Sequence, residues 1–343
     1  MRVAVVRLTS LGDVVHTLPV AAALRRYRPD DHIVWIVEEH EQQLLLGNPC
    51  VDHVLVAPLR RWRRLVSTGR IRRVLGEVRA FHTALRSFHI DAALDVQGWG
   101  HKTSPIVALT RAPIRIGFSR PYARDGLSPL FTTVQVTPPP KALHIVDQNL
   151  ALLRPLGIES PAAEFVLPPW PDAEHRVSAW MTEHGLRPRA FIALLPSTRG
   201  HKKLWPAQAY AKAADALAAA TALPIVVAGG PVDMPILTAV ARMAPGALVY
   251  APDAISDLAV LLDRSRAVVG NDTGPLHLAA AANVPTLGLF GPTSGARNGP
   301  YGPTGRFIQS RTTRMTDISQ EEVVETSLRM LEASPQAIPL GRR

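Results

Sequence analysis

Short runs of β-branched and aliphatic residues alternate with helical patterns twice along this chain. That alternation restricts the folds open to it more than any other feature. In the first half the runs are Val3–Leu8, Ile33–Val37, Val54–Ala57, Ala92–Val96, Ile114–Phe118 and Thr132–Val136. Between them lie segments with apolar residues at helical spacing. Val14, Leu18, Ala21, Ala22 and Leu24 lead up to Pro29, an Arg-rich stretch runs from about Arg70 to Ser87, and Leu143 to Leu156 closes the half. Continuous apolar runs separated by helices predict strands of a mainly parallel sheet, buried on both faces. The second half repeats the pattern with Phe191–Leu195, Ile225–Ala228, Ala247–Tyr250, Ala267–Gly270 and Thr286–Phe290. Its helical patterns fall near 206–220, 234–243, 256–263 and 275–283, and a polar helix follows Ser319. Between Gly157 and Asp172 the chain carries Pro161, Pro168, Pro169 and Pro171. So proline-rich a stretch marks a domain boundary. The reading is two doubly wound α/β domains, 1–160 and 172–318, then a helix and tail, 319–343, able to fold back on the first domain.

A length of 343 residues suits two domains of middling size. With 47% hydrophobic and 19% charged residues the composition is that of a globular chain. Cys50 is the one cysteine, so no intramolecular disulfide or Cys-based zinc site forms, and a reducing cytoplasm is the expected compartment. Arg7 and Asp13 interrupt the opening apolar run too soon for a secretory signal. No stretch approaches the roughly 18 apolar residues a membrane span needs, so any membrane contact is expected to be peripheral. The formal net charge is +10, and part of it is local: Pro58 to Ile90 holds nine arginines against a single acid, Glu77. Nucleic acid, an anionic membrane surface or a polyanionic substrate would each answer such a charge. No nucleic-acid recognition motif or aromatic-interleaved basic platform accompanies it.

Ligands of doubly wound domains bind at the carboxyl ends of the strands, and four segments there carry chemistry. Thr9-Ser10-Leu11-Gly12-Asp13 follows the first strand. Gly12 allows close backbone approach, and Asp13 reads either as a helix N-cap or as a base for a sugar hydroxyl. Asn271-Asp272-Thr273-Gly274-Pro275-Leu276-His277 is the most specific signal. Pro275 suits a helix start, the amides of Thr273 and Gly274 suit an anion, His277 can donate to phosphate, and Asp272 can accept from sugar hydroxyls. Ser197-Thr198-Arg199-Gly200-His201-Lys202-Lys203 offers hydroxyls and lysines to phosphate, or is a solvated loop beside a buried Trp205. In Ala228-Gly229-Gly230-Pro231-Val232-Asp233 the acid either holds ribose hydroxyls or caps a helix. Glu38-Glu39-His40-Glu41 has metal-ligand residue types but reads better as a solvated helix start. There is no Walker A sequence and no intact Gly-x-Gly-x-x-Gly after the first strand.

Together these segments resemble the bacterial lipopolysaccharide heptosyltransferases, glycosyltransferase family 9. The resemblance runs from Met1-Arg2-Val3 and Ser10 to Pro19 through Trp35 to Glu39, Arg60-Arg61-Trp62-Arg63 and Asp95-Val96-Gln97-Gly98. It continues in Lys203-Leu204-Trp205-Pro206, Asp272-Thr273-Gly274 with His277, and Phe290-Gly291-Pro292-Thr293. The Arg-Arg-Trp-Arg run looks most like the heptosyltransferase I branch. The resemblance implies a GT-B fold, two Rossmann-like domains facing a central cleft, and an inverting transfer from ADP-L-glycero-D-manno-heptose to the Kdo inner core of lipopolysaccharide. It implies neither cofactor nor metal. The partners it implies are the nucleotide-sugar donor, a Kdo-lipid A acceptor and the inner leaflet of the membrane. Asp13 then resembles the catalytic base, which shifts the balance away from the N-cap reading. Ser197, Thr198, Lys203, Asp233, Asp272, Thr273, Gly274 and His277 resemble donor-site residues. Ser10, Gly12, Arg60, Arg61, Arg63, Arg124 and His144 fall on the acceptor side. For Arg70, Arg72, Arg73 and Arg79 a solvated helix face is the expectation. The loop before Lys203 is one residue longer than the family's, so Lys202 is the alternative phosphate lysine. Rival readings are another nucleotide-sugar transferase, a nucleotide-sugar epimerase, and a nucleotide-sugar or lipid A binding protein without turnover.

Overall fold

In the computed structural model, which describes residues 1–333, the first unit (Met1–Pro169) is organised by one sheet. Its strands are β1 (Arg2–Val6), β2 (His32–Val37), β3 (His53–Val56), β4 (Ala92–Asp95), β5 (Ile114–Phe118) and β6 (Val134–Val136). All pairings are parallel and the order is β3-β2-β1-β4-β5-β6. The second unit begins at Trp170. Its sheet has β7 (Ile192–Leu195), β8 (Ile225–Ala228), β9 (Leu248–Tyr250), β10 (Ala267–Asn271), β11 (Thr286–Phe290) and β12 (Gly305–Gln309), in the order β12-β11-β10-β7-β8-β9. Counted from its own first strand, this is the same winding as in the first unit. Each sheet therefore has one point where the strand order reverses: between β1 and β4, and between β7 and β10. Crossover helices diverge at such a point, leaving a crevice at the carboxyl ends of the two strands.

Burial explains why the strands were readable. β4, β7, β8, β10 and β11 are buried at every residue, as strands covered by helices on both faces must be. β12 was not expected: at the edge it buries only Ile308 and leaves Phe307 exposed, so no continuous apolar run announces it. Four helices were also not expected: Leu59–Ser67, Ser104–Leu109, Pro171–Glu183 and the short Gly295–Asn298. The first pattern, from Val14 to Leu24, is split by the structure into Leu11–Val15 and Leu18–Tyr27.

The boundary between the units, Pro169 to Trp170, falls inside the proline-rich stretch. On one face of the second sheet, Trp205 and Tyr210 are fully buried with ring centroids 4.8 Å apart. Their polar tips are satisfied: Trp205 Nε1 donates to Ile318 O at 3.0 Å and the Tyr210 hydroxyl to Leu195 O at 3.2 Å. Burial pushes the Tyr210 phenol well above its ordinary range. The helix Gln320–Ala333 packs on helix Ala207–Thr221, and Val323 and Met330 enter the core of the second unit. The segment set apart at 319 is thus part of that unit; its tail from 334 to 343 lies outside the described residues. On the other face, helix Pro171–Glu183 packs on helix Ile255–Asp263. There Arg176 grips Asp257 with both arms, at 2.8 and 2.6 Å.

At the reversal in the second sheet, β10 must pass close to β7. A methyl group on Gly270 would lie 2.7 Å from Leu195 Cβ and 3.1 Å from its carbonyl oxygen. Neither neighbour is the free end of a flexible chain. Gly270→Ala is therefore expected to destabilise the protein by about 1–3 kcal/mol, the usual cost of overpacking. Urea unfolding of the variant beside the wild type measures it; an unchanged midpoint would contradict this account of the close approach.

Candidate functional site

In the first unit, β1 delivers the chain to a short helix, Leu11–Val15, whose N-cap is Ser10 and whose third residue is Asp13. Asp13 is thus not the N-cap, as one reading of the sequence had it. It is the returning acid of a capping box: its Oδ2 accepts the Ser10 N–H at 2.9 Å and the Ser10 hydroxyl at 3.0 Å. Its other oxygen meets Arg7 Nη2 at 2.5 Å. Arg7 is buried, and its Nη1 donates to Val96 O at 2.9 Å, so the guanidinium is fixed to the end of β4. Asp13 keeps 31% of its side chain exposed, so a ligand can reach it. Burial by itself would raise the Asp13 carboxyl. The Arg7 charge and the two Ser10 hydrogen bonds, with Arg124 further off, outweigh burial and hold the group below the usual carboxylate range.

Asp95, at the end of β4, is fully buried. It collects Gly98 N–H at 2.9 Å and the hydroxyls of Ser104 and Ser128 at 2.5 and 2.9 Å. Those bonds tie the 97–104 and 124–131 segments to the strand end. The same segments present Trp99 to two cations, Lys102 Nζ 3.4 Å and Arg124 Cζ 4.3 Å from its ring centre. Burial, together with the charges of Arg63, Arg124 and Arg60, pushes the Lys102 ammonium down. The structure therefore gathers Arg60, Arg63, Lys102 and Arg124 into one cationic neighbourhood. Sequence reasoning named three of these and missed Lys102 and Trp99, because a lone lysine and a lone tryptophan in a loop carry no periodic signal.

The Arg60-Arg61-Trp62-Arg63 run is divided by its partners. Arg60 reaches Glu41 at 3.1 Å and Glu38 at 4.0 Å, and its backbone N–H donates to Glu38 at 2.7 Å. Arg61 pairs with Glu39 at 3.2 Å and Glu77 at 3.0 Å. Only Arg63 of the three is an exposed guanidinium with no carboxylate partner among the described residues. The expectation that all three are equally available to a ligand is corrected on this point. Glu38 and Glu41 are buried, so the Glu38–Glu41 segment is no solvated helix start; it is the anionic floor under Arg60. Among the described residues no cluster of His, Cys, Asp and Glu could hold a metal ion. His144 caps helix Ile145–Ala151, accepting from Val146 N–H at 3.1 Å, and lies edge-on to His16 at 5.5 Å. Gly12 is buried in the short helix.

The second unit's site is built around Asp272. Its Oδ2 meets Lys203 Nζ at 2.6 Å and accepts the Thr293 hydroxyl at 2.8 Å, and its Oδ1 lies 3.4 Å from His277 Nε2. Burial opposes ionisation here too, but hydrogen bonds and charge from His277 and then Lys203 prevail, and the carboxyl lies far below its ordinary range. Thr198 closes the group from β7 by donating to Asp272 O at 3.2 Å. Asn271 stitches the two strand ends together, donating to Pro196 O at 2.8 Å and accepting Trp205 N–H at 3.2 Å. Of the two lysines, Lys203 joins this cluster and Lys202 is exposed. Thr273 is the N-cap of helix Gly274–Ala281 without a side-chain cap bond, which leaves the helix N-terminus presented at the strand ends. Gly274 is its first residue and Pro275 its second, one place later than expected. Ser197 lies buried just after the end of β7. Asp233 accepts Gly230 N–H at 2.8 Å and so braces the Gly229-Gly230 turn. It also stands at the N-cap of helix Met234–Met243, as the helix-cap reading had it, without a side-chain cap bond, and its Oδ2 is committed to the turn. Thr293, at the end of the Phe290-Gly291-Pro292-Thr293 segment, takes its role from its bond to Asp272.

The sequence profile for glycosyltransferase family 9 (heptosyltransferase) matches residues 78–327. Lipopolysaccharide heptosyltransferase 1 of Pseudomonas aeruginosa is 30% identical over 312 residues, 88% of this chain and 82% of its own. The protein of the same name from Escherichia coli K12 is 26% identical over 329 residues, 95% of this chain and 98% of its own. The solved structure of E. coli heptosyltransferase WaaC with ADP-2-deoxy-2-fluoro heptose gives a TM-score of 0.77 at 24% identity, covering 96% of this chain and 99% of that one. The fold class is GT-B.

Asp272 is expected to matter for stability as well as position. Asp272→Asn leaves Lys203 and His277 without their counter-charge and should cost about 3 kcal/mol at neutral pH, the low end for breaking a buried pair, since Lys203 is partly exposed. Because the folded carboxyl is depressed, its contribution is fully present above the unfolded value of about 3.9 and is lost as pH falls through the folded value. Unfolding curves of wild type and variant should therefore converge in strong acid; a gap that widens toward low pH would refute the assignment.

Proposed function

Since the chain belongs to glycosyltransferase family 9, we propose that it transfers a heptose from ADP-L-glycero-D-manno-heptose to the Kdo inner core of lipopolysaccharide, with inversion. The observation that carries the proposal is Asp13: an ionised, one-third exposed carboxylate at the reversal point of the first sheet. Arg7 keeps it charged before the acceptor arrives. A carboxylate with so low an affinity for protons is a weak base, so proton removal accompanies attack of the acceptor hydroxyl on the anomeric carbon rather than preceding it. The bond to the diphosphate breaks on the opposite side, and negative charge grows on the leaving ADP. Lys203, His277 and the amides at the start of helix Gly274–Ala281 are the groups suited to that charge. Asp272 holds Lys203 and His277 in place for it. An ADP-heptose donor is supported by the E. coli relative, whose structure holds an ADP-heptose analogue.

The acceptor reading rests on charge. Kdo and phosphorylated lipid A offer carboxylates and phosphates, which guanidinium groups match in a bidentate fashion. Arg63, Arg124 and Lys102 are the cations suited to them, with Arg60 behind. The acceptor is anchored in a bilayer, and no helix among the described residues is long and apolar enough to cross one. The enzyme would work at the cytoplasmic face as a peripheral protein. Incubation with ADP-heptose and heptose-less lipopolysaccharide, read by product mass, separates heptosyl transfer from epimerisation and from binding without turnover. Finding transfer only from a different nucleotide sugar would move the enzyme to another branch of the family.

Two further outcomes are expected. Asp13→Asn keeps the size of the side chain and should lower kcat by roughly 10²–10⁴, with ADP affinity nearly unchanged in a calorimetric titration. A variant with near-normal turnover would remove Asp13 from the chemistry. Lys203→Ala should weaken ADP binding by about tenfold or more, the scale of a lost hydrogen bond between charged groups, and slow transfer as well. Lys202→Ala should do neither; the reverse pattern would place the phosphate lysine one residue earlier.

A further inference from the structure

The Arg-rich stretch folds into a helical hairpin, Leu59–Ser67 and Ile71–Ser87, closed by Thr68, Gly69 at φ +72° and Arg70. One side of it is anchored. Trp62 packs edge-on against Phe81 at 5.6 Å and donates to Glu77 at 3.0 Å, while Leu65, Phe81 and Leu85 are buried. The other side carries something the protein itself does not use. Val66, Ile71 and Leu75 stand 49%, 46% and 57% exposed. Val66 and Ile71 flank the bend, and Leu75 follows Ile71 by one helical turn, so the latter two are neighbours on one face. Around them Arg64, Arg70 and Arg72 are exposed and have no carboxylate partner among the described residues. Arg73 and Arg61, by contrast, are both taken by Glu77.

We infer that this bend is the membrane-docking surface, taking up an anionic phospholipid bilayer with the three aliphatic side chains dipped into the acyl boundary and the three arginines on the headgroups. Apolar residues and unpaired cations at one edge fit a headgroup–acyl boundary. A polyanion such as nucleic acid would need the charges and leave the aliphatic side chains with no use. Exposed aliphatic residues gathered at one bend with polar, cationic neighbours have the composition of an interaction site rather than of scattered surface residues. The inference rests on the reading that the acceptor is membrane-bound, and it assigns the surface that meets the membrane. It also gives Arg70 and Arg72, expected from sequence to be a solvated face, a specific ligand.

The test is co-sedimentation of the full-length protein with phosphatidylcholine vesicles containing or lacking phosphatidylglycerol, which needs neither donor nor acceptor. Wild type should bind the anionic vesicles. The triple variant Val66→Ser, Ile71→Ser, Leu75→Ser should bind them at least about tenfold more weakly. The triple variant Arg64→Gln, Arg70→Gln, Arg72→Gln should lose roughly a hundredfold, each cation near the surface contributing about fivefold. All six side chains are exposed, so thermal midpoints and ADP affinity should stay at wild-type values, and those two measurements confirm the variants are folded. If the serine variant binds as well as wild type, the surface is a polyanion site and the inference is overturned; it is overturned equally if wild type ignores anionic vesicles. Failure of heptosyl transfer in the mass assay, with vesicle binding intact, would overturn the functional reading and leave the docking surface standing.

Discussion

Both units of this protein solve the same electrostatic problem at the same place. Where a parallel sheet reverses its strand order, the crossover helices part and the strand ends open to ligand. That crevice collects charged groups from several elements, and they must be held without cancelling their use. Each unit does so by sinking a carboxylate into a cage of donors. In the first, Asp13 is clamped by buried Arg7 and by Ser10. In the second, Asp272 is clamped by Lys203, Thr293 and His277. In both, burial pushes the carboxyl up and the partners more than undo it.

The difference between the two cages lies in which partner is left facing outward. Arg7 is buried and Asp13 is one-third exposed, so the first unit presents an anion. Asp272 is nearly buried and Lys203 is one-third exposed, so the second presents a cation at a helix N-terminus. One fold, wound the same way twice, thus offers opposite charges at equivalent points. For the proposed transfer from a nucleotide sugar that polarity would suit a base in the first unit and cations for the leaving diphosphate in the second.

How much of this the sequence carried follows from the range of each interaction. Buried central strands are local facts, because β4, β7, β10 and β11 are buried at every residue and, apart from a terminal residue, are apolar or small, and the runs were plain. An edge strand such as β12 is half exposed and leaves no run to read. Asp13, Asp272, Lys203 and His277 were visible because they stand in the segments that follow such runs. What was hidden was pairing. Nothing in the order of residues says that Arg7 folds under Asp13, that Thr293 reaches Asp272 from another strand end, or that Asp233 is committed to the Gly229-Gly230 turn. The arginine run shows the same limit most clearly. As sequence, Arg60, Arg61 and Arg63 are equivalent; in space, Glu38, Glu41, Glu39 and Glu77 engage the first two.

That neutralisation has its own logic. Nine arginines in a short stretch repel one another, and a helical hairpin that presented all of them to solvent would oppose its own folding. Placing buried Glu38 and Glu41 under Arg60, and Glu77 between Arg61 and Arg73, lets part of the charge serve the fold. Arg86 donates to Thr110 O at 2.7 Å, and four of the others, without a carboxylate partner among the described residues, fall into two groups. Arg63 joins the cationic neighbourhood of Lys102 and Arg124, the two cations over Trp99. Arg64, Arg70 and Arg72 surround the exposed aliphatic residues of the bend. One run of like charges is thereby partitioned into a structural set, a site-directed set and a surface set, and the partition is made by three acidic side chains to the N-terminal side and one within the run.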